Sequence, residues 1–154
     1  MPADDPPDHQ ETAMLHRLIY SSQVAAPMSP DTIEALLAQA RTANARRDIT
    51  GALAFDSQHF LQVLEGSGEA LNRLYAALMH DARHRDLRLI DFRAVEQRSF
   101  DQWSMAFAAA DGRTGRICRR HSASSRLDPA AVTATAALQI LQDMAALPAP
   151  AAVA

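Results

Sequence analysis

Five residues stand out by type and position as able to hold a polar heterocycle or move a proton: Tyr20, Asn44, Gln62, Trp103 and Met105. Gln62 lies in Phe60-Leu61-Gln62-Val63-Leu64, apolar on both sides, and a buried amide is costly unless hydrogen-bonded. Asn44 raises the same question from a helix, because Ile33, Leu36, Leu37 and Ala40 recur at helical spacing and the row arrives at Asn44. Strand parity lets Tyr20 and Gln62 face the same helices, and Trp103 and Met105, two apart, share a face of their own strand. Two readings stand. In one, Tyr20 and Gln62 satisfy each other inside a core that Trp103 and Met105 help to pack. In the other, they floor a pocket between two helices for a flat polar ligand, since each amide offers both donors and an acceptor.

The elements that must position these residues follow from periodicity. From Met14 to Tyr20, His16, Leu18 and Tyr20 alternate with Leu15, Arg17 and Ile19, a strand signal. Ser29-Pro30-Asp31 starts a helix that runs to about Arg46, with Ser29 as N-cap. Two strands follow, Ile49 to Phe55 and Phe60 to Leu64, joined at Asp56-Ser57-Gln58 as an antiparallel hairpin and closed by Glu65-Gly66. A second helix begins near Ser67-Gly68, carries Leu71, Leu74, Tyr75 and Leu78, and ends near His80-Asp81. Leu87 to Val95 and Trp103 to Ala108 read as two more strands, with a turn at Ser99 to Gln102.

The order β-α-β-β-α-β-β predicts an α+β, ferredoxin-like sheet with two helices on one face. Several strands are apolar on both faces, so the other face needs a cover as well. Arg113 to His121 reads as a short helix, and Asp128-Pro129 starts another whose stripe is Ala134, Leu138, Leu141 and Ala145, with Ile140, Met144 and Leu147 beside it. These are expected on the sheet face opposite the first two helices. The chain divides into a disordered leader (1–13), a ligand-binding domain (14–110), a C-terminal helical extension (111–147) and a frayed tail (148–154).

Other chemistries fit less well. His80 and His84, four apart, lack a third metal ligand. Arg113, Arg116, Arg119, Arg120, His121 and Arg126 form a basic cluster without the aromatic residues that stack bases, which favours a solvated face or a protein contact over nucleic acid. A net charge of −3 gives no global attraction to nucleic acid or anionic lipid. The single Cys118 forms no internal disulfide, and no apolar run approaches a membrane span, so a cytoplasmic protein is expected. Cys118 beside arginines is a weak candidate nucleophile. No Ser/His/Asp set, Gly-rich phosphate loop or paired-carboxylate pattern is persuasive.

At the singled-out residues the sequence resembles the BLUF family of blue-light sensors that use flavin. The matching stretches are LHRLIYSS with Tyr20, NARRDITGAL with Asn44, FLQVLEG with Gln62, DARH with Asp81 and Arg83, and RSFDQWSMAF with Trp103 and Met105, in family order across residues 14–108. The resemblance implies FAD between the first two helices, with FMN or riboflavin tolerated. Asn44 would bond the pyrimidine side of the ring, Asp81 and Arg83 would lie near the pyrimidine edge and ribityl chain, and Ile33 and Ile49 would pack on the ring. Ala43 departs from the family, which often carries Asn or His there. By the same resemblance, blue light drives electron and proton transfer from Tyr20 and rotation or tautomerisation of Gln62, which red-shifts absorption and passes through Trp103 and Met105 to the C-terminal helices. That is a photoreceptor and not an enzyme. With no room for an effector domain in 154 residues, the signal is expected to reach a separate protein or cross a homo-oligomer interface. The rival readings are a ferredoxin-like regulatory domain for a colourless metabolite, and an acylphosphatase-type hydrolase that would lack its phosphate-cradling loop.

Overall fold

Strand β3 (His59–Ser67) is buried along seven consecutive residues, Phe60 to Gly66, and everything else is layered on its two faces. The structure, a computed structural model, describes residues 14–55, 58–101, 103–104 and 112–146. Around β3 lie β1 (Leu15–Val24), β2 (Thr50–Phe55), β4 (His84–Ala94) and β5 (Trp103–Ser104). The sheet order is β4-β1-β3-β2-β5, with β1/β3, β1/β4 and β2/β3 antiparallel and β5 parallel to β2. This is the expected α+β, ferredoxin-like arrangement.

Helix α1 (Pro30–Arg46) is capped as its sequence requires: the Ser29 hydroxyl accepts from the Thr32 N–H, and Pro30 sits in the first turn. Helix α2 (Gly68–Met79) is capped by Ser67, which accepts from the Ala70 N–H. Both lie on one face. Leu18, Tyr20 and Leu64 pack with Leu71 of α2, and Leu53, Phe55 and Phe60 pack with Ile33 and Leu37 of α1. The alternate residues Ile19, Ala52, Ala54, Leu61 and Val63 face the other way, onto Ile117 and Cys118 of α3 (Gly112–His121) and Ala137, Ile140, Leu141 and Met144 of α4 (Ala134–Ala145). The period of two in the strands thus yields two separate cores. Fully buried Ala52 and Ala54 let α4 approach β2 closely. Gly51 is needed for a similar reason, since a Cβ there would lie 1.9 Å from the Val63 carbonyl oxygen.

Three boundaries differ from expectation. Strand β1 continues four residues past Tyr20, because Ser21, Ser22 and Gln23 still pair with Leu61, Phe60 and His59. Strand β4 begins at His84 and not Leu87, its early part disguised by a bulge with Asp86 at φ 51°. Asp128-Pro129 caps only a 3₁₀ turn (Pro129–Ala131); α4 starts at Ala134 with Thr133 as N-cap. The buried stripe accordingly runs Ala136, Ala137, Ile140, Leu141, Met144, with Ala134, Leu138 and Ala145 at its margins. Asp56, Ser57, Gln102, Met105, the rest of the expected fifth strand, Leu147, the leader and the tail lie outside the described residues.

Leu141→Ala is expected to lower the unfolding free energy by about 2–5 kcal/mol, and marginal Leu138→Ala by about 1 kcal/mol. Urea denaturation of the two variants checks the seating of α4, which equal losses would contradict.

Candidate functional site

The antiparallel register sets Tyr20 opposite Gln62 and Gln62 opposite Leu53, a row across three strands on the face beneath α1 and α2. The Tyr20 hydroxyl donates to Gln62 Oε1. Both side chains are buried, Tyr20 2% and Gln62 7% exposed. Burial, reinforced by the charge of Asp81 and by Tyr75, pushes the Tyr20 phenol well above its ordinary value. It is therefore a protonated donor, and the Gln62 NH₂ is the group left for a ligand.

Over this row, between α1 and α2, lies a cleft of about 220 Å³. Tyr20, Leu53, Phe60 and Gln62 form its floor; α1 contributes Leu36, Leu37, Gln39, Ala40, Ala43 and Asn44, and α2 contributes Leu74, Ala77 and Leu78. Asn44 is 2% exposed. Its backbone carbonyl accepts from the Arg47 and Ile49 N–H groups, while its side-chain amide borders the cleft with no partner among the described residues. A buried amide in that position asks for a polar ligand edge.

The polar end is the turn from α2 into β4. The Asp81 carboxylate accepts from the Arg83 backbone N–H at 3.0 Å, Nε at 2.9 Å and Nη2 at 2.6 Å, a fork that fixes both groups. The Arg83 hydrogen bond holds the Asp81 carboxyl down at about 2, against the opposing effect of desolvation. His84 also borders the cleft. Its Nδ1 pairs with Ser22 Oγ at 2.9 Å, and its ring meets Phe60 edge-on at 5.3 Å. Burial lowers its pKa, and Arg83 adds to this while Asp81 opposes it.

Tyr20, Asn44, Gln62, Asp81 and Arg83 thus meet at one cleft. Ile33 and Ile49 do not line it. They sit in the flanking cores with Leu37 and Leu71, one turn and one strand end away, and the walls are Leu36, Leu37, Ala40, Leu74 and Leu78. Of Trp103 only the backbone is described, paired with Gly51. His80 is an exposed C-cap of α2, so the two histidines share no helical face. Cys118 is fully buried on the opposite side of the sheet, which removes it as a nucleophile. Arg116, Arg119 and Arg120 are exposed on α3, and Arg120 and His121 reach Asp143 of α4.

The model of the BLUF family, sensors of blue light using FAD, matches residues 15–106. The chain belongs to the BLUF family. Its BLUF domain is 32% identical over 98 residues to the photoactivated adenylate cyclase subunit beta of Euglena longa, covering 63% of this chain and 11% of that protein. It is 38% identical over 71 residues to the blue light- and temperature-regulated antirepressor BluF of Escherichia coli (strain K12), covering 46% and 18%. The chain therefore spans less than a fifth of either relative. The solved photo-activated state of BlsA matches with a TM-score of 0.74 at 24% identity, over 88% of this chain and 97% of that one. BLUF domains sense blue light using FAD, and the matched unit is such a sensor.

The lining of the cleft has the chemistry a flavin ring needs: its walls are apolar, and Asn44 and Gln62 border it with amides for a heterocycle edge. Its volume, about 220 Å³, is below the about 300–1,000 Å³ of pockets that enclose whole drug-sized ligands. Sequence reasoning missed His84 as a cleft residue, having weighed it with His80 as a metal pair. The signal was the serine pair Ser21-Ser22 one strand away, whose burial demands a partner.

His84 also makes stability depend on pH. Burial holds its folded pKa below the ordinary 6.5, so the unfolded chain takes the proton first. Its contribution is complete above pH 6.5 and is lost as pH falls through the lower folded value. Urea denaturation of wild type and His84→Gln should show stabilities that converge as pH falls from about 7 to about 5; a constant difference would contradict this.

Proposed function

We propose that this BLUF domain is a blue-light photoreceptor in which Tyr20 is the electron and proton donor and Gln62 the switch. The observation that carries the reading is the buried bond from the Tyr20 hydroxyl to Gln62 Oε1 at the floor of the cleft. A bound flavin, FAD first and FMN or riboflavin as substitutes, supplies the blue-absorbing chromophore and the photo-oxidant. Asn44 holds the ring's polar edge from α1. Asp81 and Arg83, locked to each other, face the ring edge and the hydroxylated chain. Ala43 offers no side-chain donor or acceptor, so the polar contacts of that wall fall to Asn44 and Gln39. Ile33 and Ile49 act behind the walls, keeping α1 and the β2 end in place.

Tyr20 is suited to its role because its phenol retains the proton in darkness and faces an acceptor that can take it. Gln62 is suited because its amide offers a donor at one end and an acceptor at the other, so a half-turn or a tautomeric change exchanges the two toward the ligand. The change is a population shift between two hydrogen-bonded arrangements. Trp103, on the strand beyond β2, and Met105 are the next groups to respond. The signal then passes to the extension at 111–147 and to an effector protein in trans, or across a homo-oligomer interface, in the cytoplasm. No helix among the described residues is long and apolar enough to cross a membrane.

The test is optical. Purified protein should be yellow, and blue light should red-shift the flavin band reversibly in the dark. Tyr20→Phe and Gln62→Leu should each retain the flavin and abolish the shift. A normal photocycle in either variant overturns the assigned roles, and a colourless protein that takes up no added flavin overturns the photoreceptor reading.

A further inference from the structure

Glu65 lies three residues along β3 from Gln62, and its side chain points to the opposite face of the sheet. It is 0% exposed. Its carboxylate accepts from the Ser99 N–H at 2.8 and 2.9 Å and from the Phe100 N–H at 2.8 Å. It also accepts from Arg17 Nε at 3.0 Å, and Arg17 Nη2 donates to Ser99 Oγ at 2.7 Å. Arg98 adds a second grip: Nη1 donates to Thr50 Oγ1 at 2.7 Å and to the Glu65 carbonyl at 2.9 Å, and Nη2 donates to the Asp48 carbonyl at 3.0 Å. Residues 98–100 are thus bolted to β1, to β3 and to the start of β2.

A connection between strands ordinarily leaves its N–H groups to water. Here a charge is buried to capture two of them, an arrangement tolerated only with a counter-ion and full hydrogen bonding. The held segment has a specific load. Phe100, 6% exposed, is seated in the core with Ile117 and Cys118 of α3 and Ile140, Leu141 and Met144 of α4.

We infer that Glu65 is a positioning residue that couples the cleft to α3 and α4: β3 carries Gln62 on one face and, on the other, the carboxylate that holds Phe100 against those helices. A change in the Gln62 hydrogen bonds displaces β3, and the Glu65 carboxylate hands that displacement to the backbone of Ser99 and Phe100. This route runs through main-chain N–H groups and needs neither the Trp103 nor the Met105 side chain. It rests on the photoreceptor reading of the cleft.

The experiment is hydrogen exchange of peptides covering residues 112–146, in darkness and under continuous blue light, on flavin-loaded wild type, Glu65→Gln and Phe100→Leu, with the absorption spectrum recorded on each sample. Wild type should show the red shift and a light-to-dark exchange ratio of at least about 5-fold, the lower range of ordinary coupling between sites. Both variants should keep the red shift while that ratio falls to unity. Phe100→Leu leaves the carboxylate and its ion pair intact, so it carries the test alone should Glu65→Gln fail to fold. A red shift with the wild-type exchange ratio in Phe100→Leu, or in folded Glu65→Gln, overturns the coupling. A wild type that shows the red shift but equal exchange in light and darkness overturns the coupling alone, whereas a wild type that takes up no flavin and responds to light in neither readout overturns the photoreceptor reading, and the coupling with it.

Discussion

One pairing register between β1 and β3 satisfies two buried polar pairs at once. Tyr20 lies opposite Gln62 and Arg17 opposite Glu65, three positions apart and on opposite faces. A slip of one residue would send every side chain of β1 to the other face, turning the phenol toward α3 and α4 and the guanidinium toward the cleft. Each pair would then be broken, and a buried polar group that loses its partner is penalised more than the intact bond contributes. Hydrophobic alternation alone specifies this register weakly, because β1 and β3 are apolar on both faces. The polar pairs supply the discrimination.

The cleft inherits its character from the same arrangement. Its floor is neutral, a protonated phenol bonded to an amide, and its walls are aliphatic. The formal charges are confined to the Asp81–Arg83 fork, where each neutralises the other. Such a cleft suits a planar, largely uncharged ring with a hydrogen-bonding edge, and leaves any phosphate of the same ligand to lie outside it. Tyr75 packs edge-on to Tyr20, with ring centroids 6.2 Å apart, which fixes the phenol plane and leaves the hydroxyl direction to Gln62.

Where sequence pattern and physical cause were local, the fold was legible. Ser29 and Ser67 announced their helices, parity assigned the two faces of β3, and the surplus apolar face called for α3 and α4. The failures share a different origin. Ser21-Ser22 ended the apolar alternation although the strand continues, because the partner of Ser22 is His84, 62 residues away. The bulge at Asp86 broke the period of two. Asp128-Pro129 carries a helix-start signal that produces a single tight turn, since the following residues must first reach the sheet before α4 can bury its stripe. Glu65 beside Gly66 resembled the end of a strand; its partners Arg17, Ser99 and Phe100 are distant in sequence, and no local pattern marks a buried carboxylate. In the cleft, residue types pointed to the floor and to Asn44, while the wall residues Leu36, Ala40, Leu74 and Leu78 could not be told from the core around them, because periodicity fixes a face but not a depth.

The irregular strand β4 is the outermost of the sheet. Among the described residues no strand pairs along its outer side, the kind of border on which another chain adds by strand pairing. Its ladder with β1 is interrupted twice, near Ile90 and at Asp86, and Arg85, Arg88 and Arg93 project from it. The two kinks interrupt the straight run that would template an incoming strand. Such an edge resists fibril-like growth, while Leu89 and Phe92 remain exposed beside it.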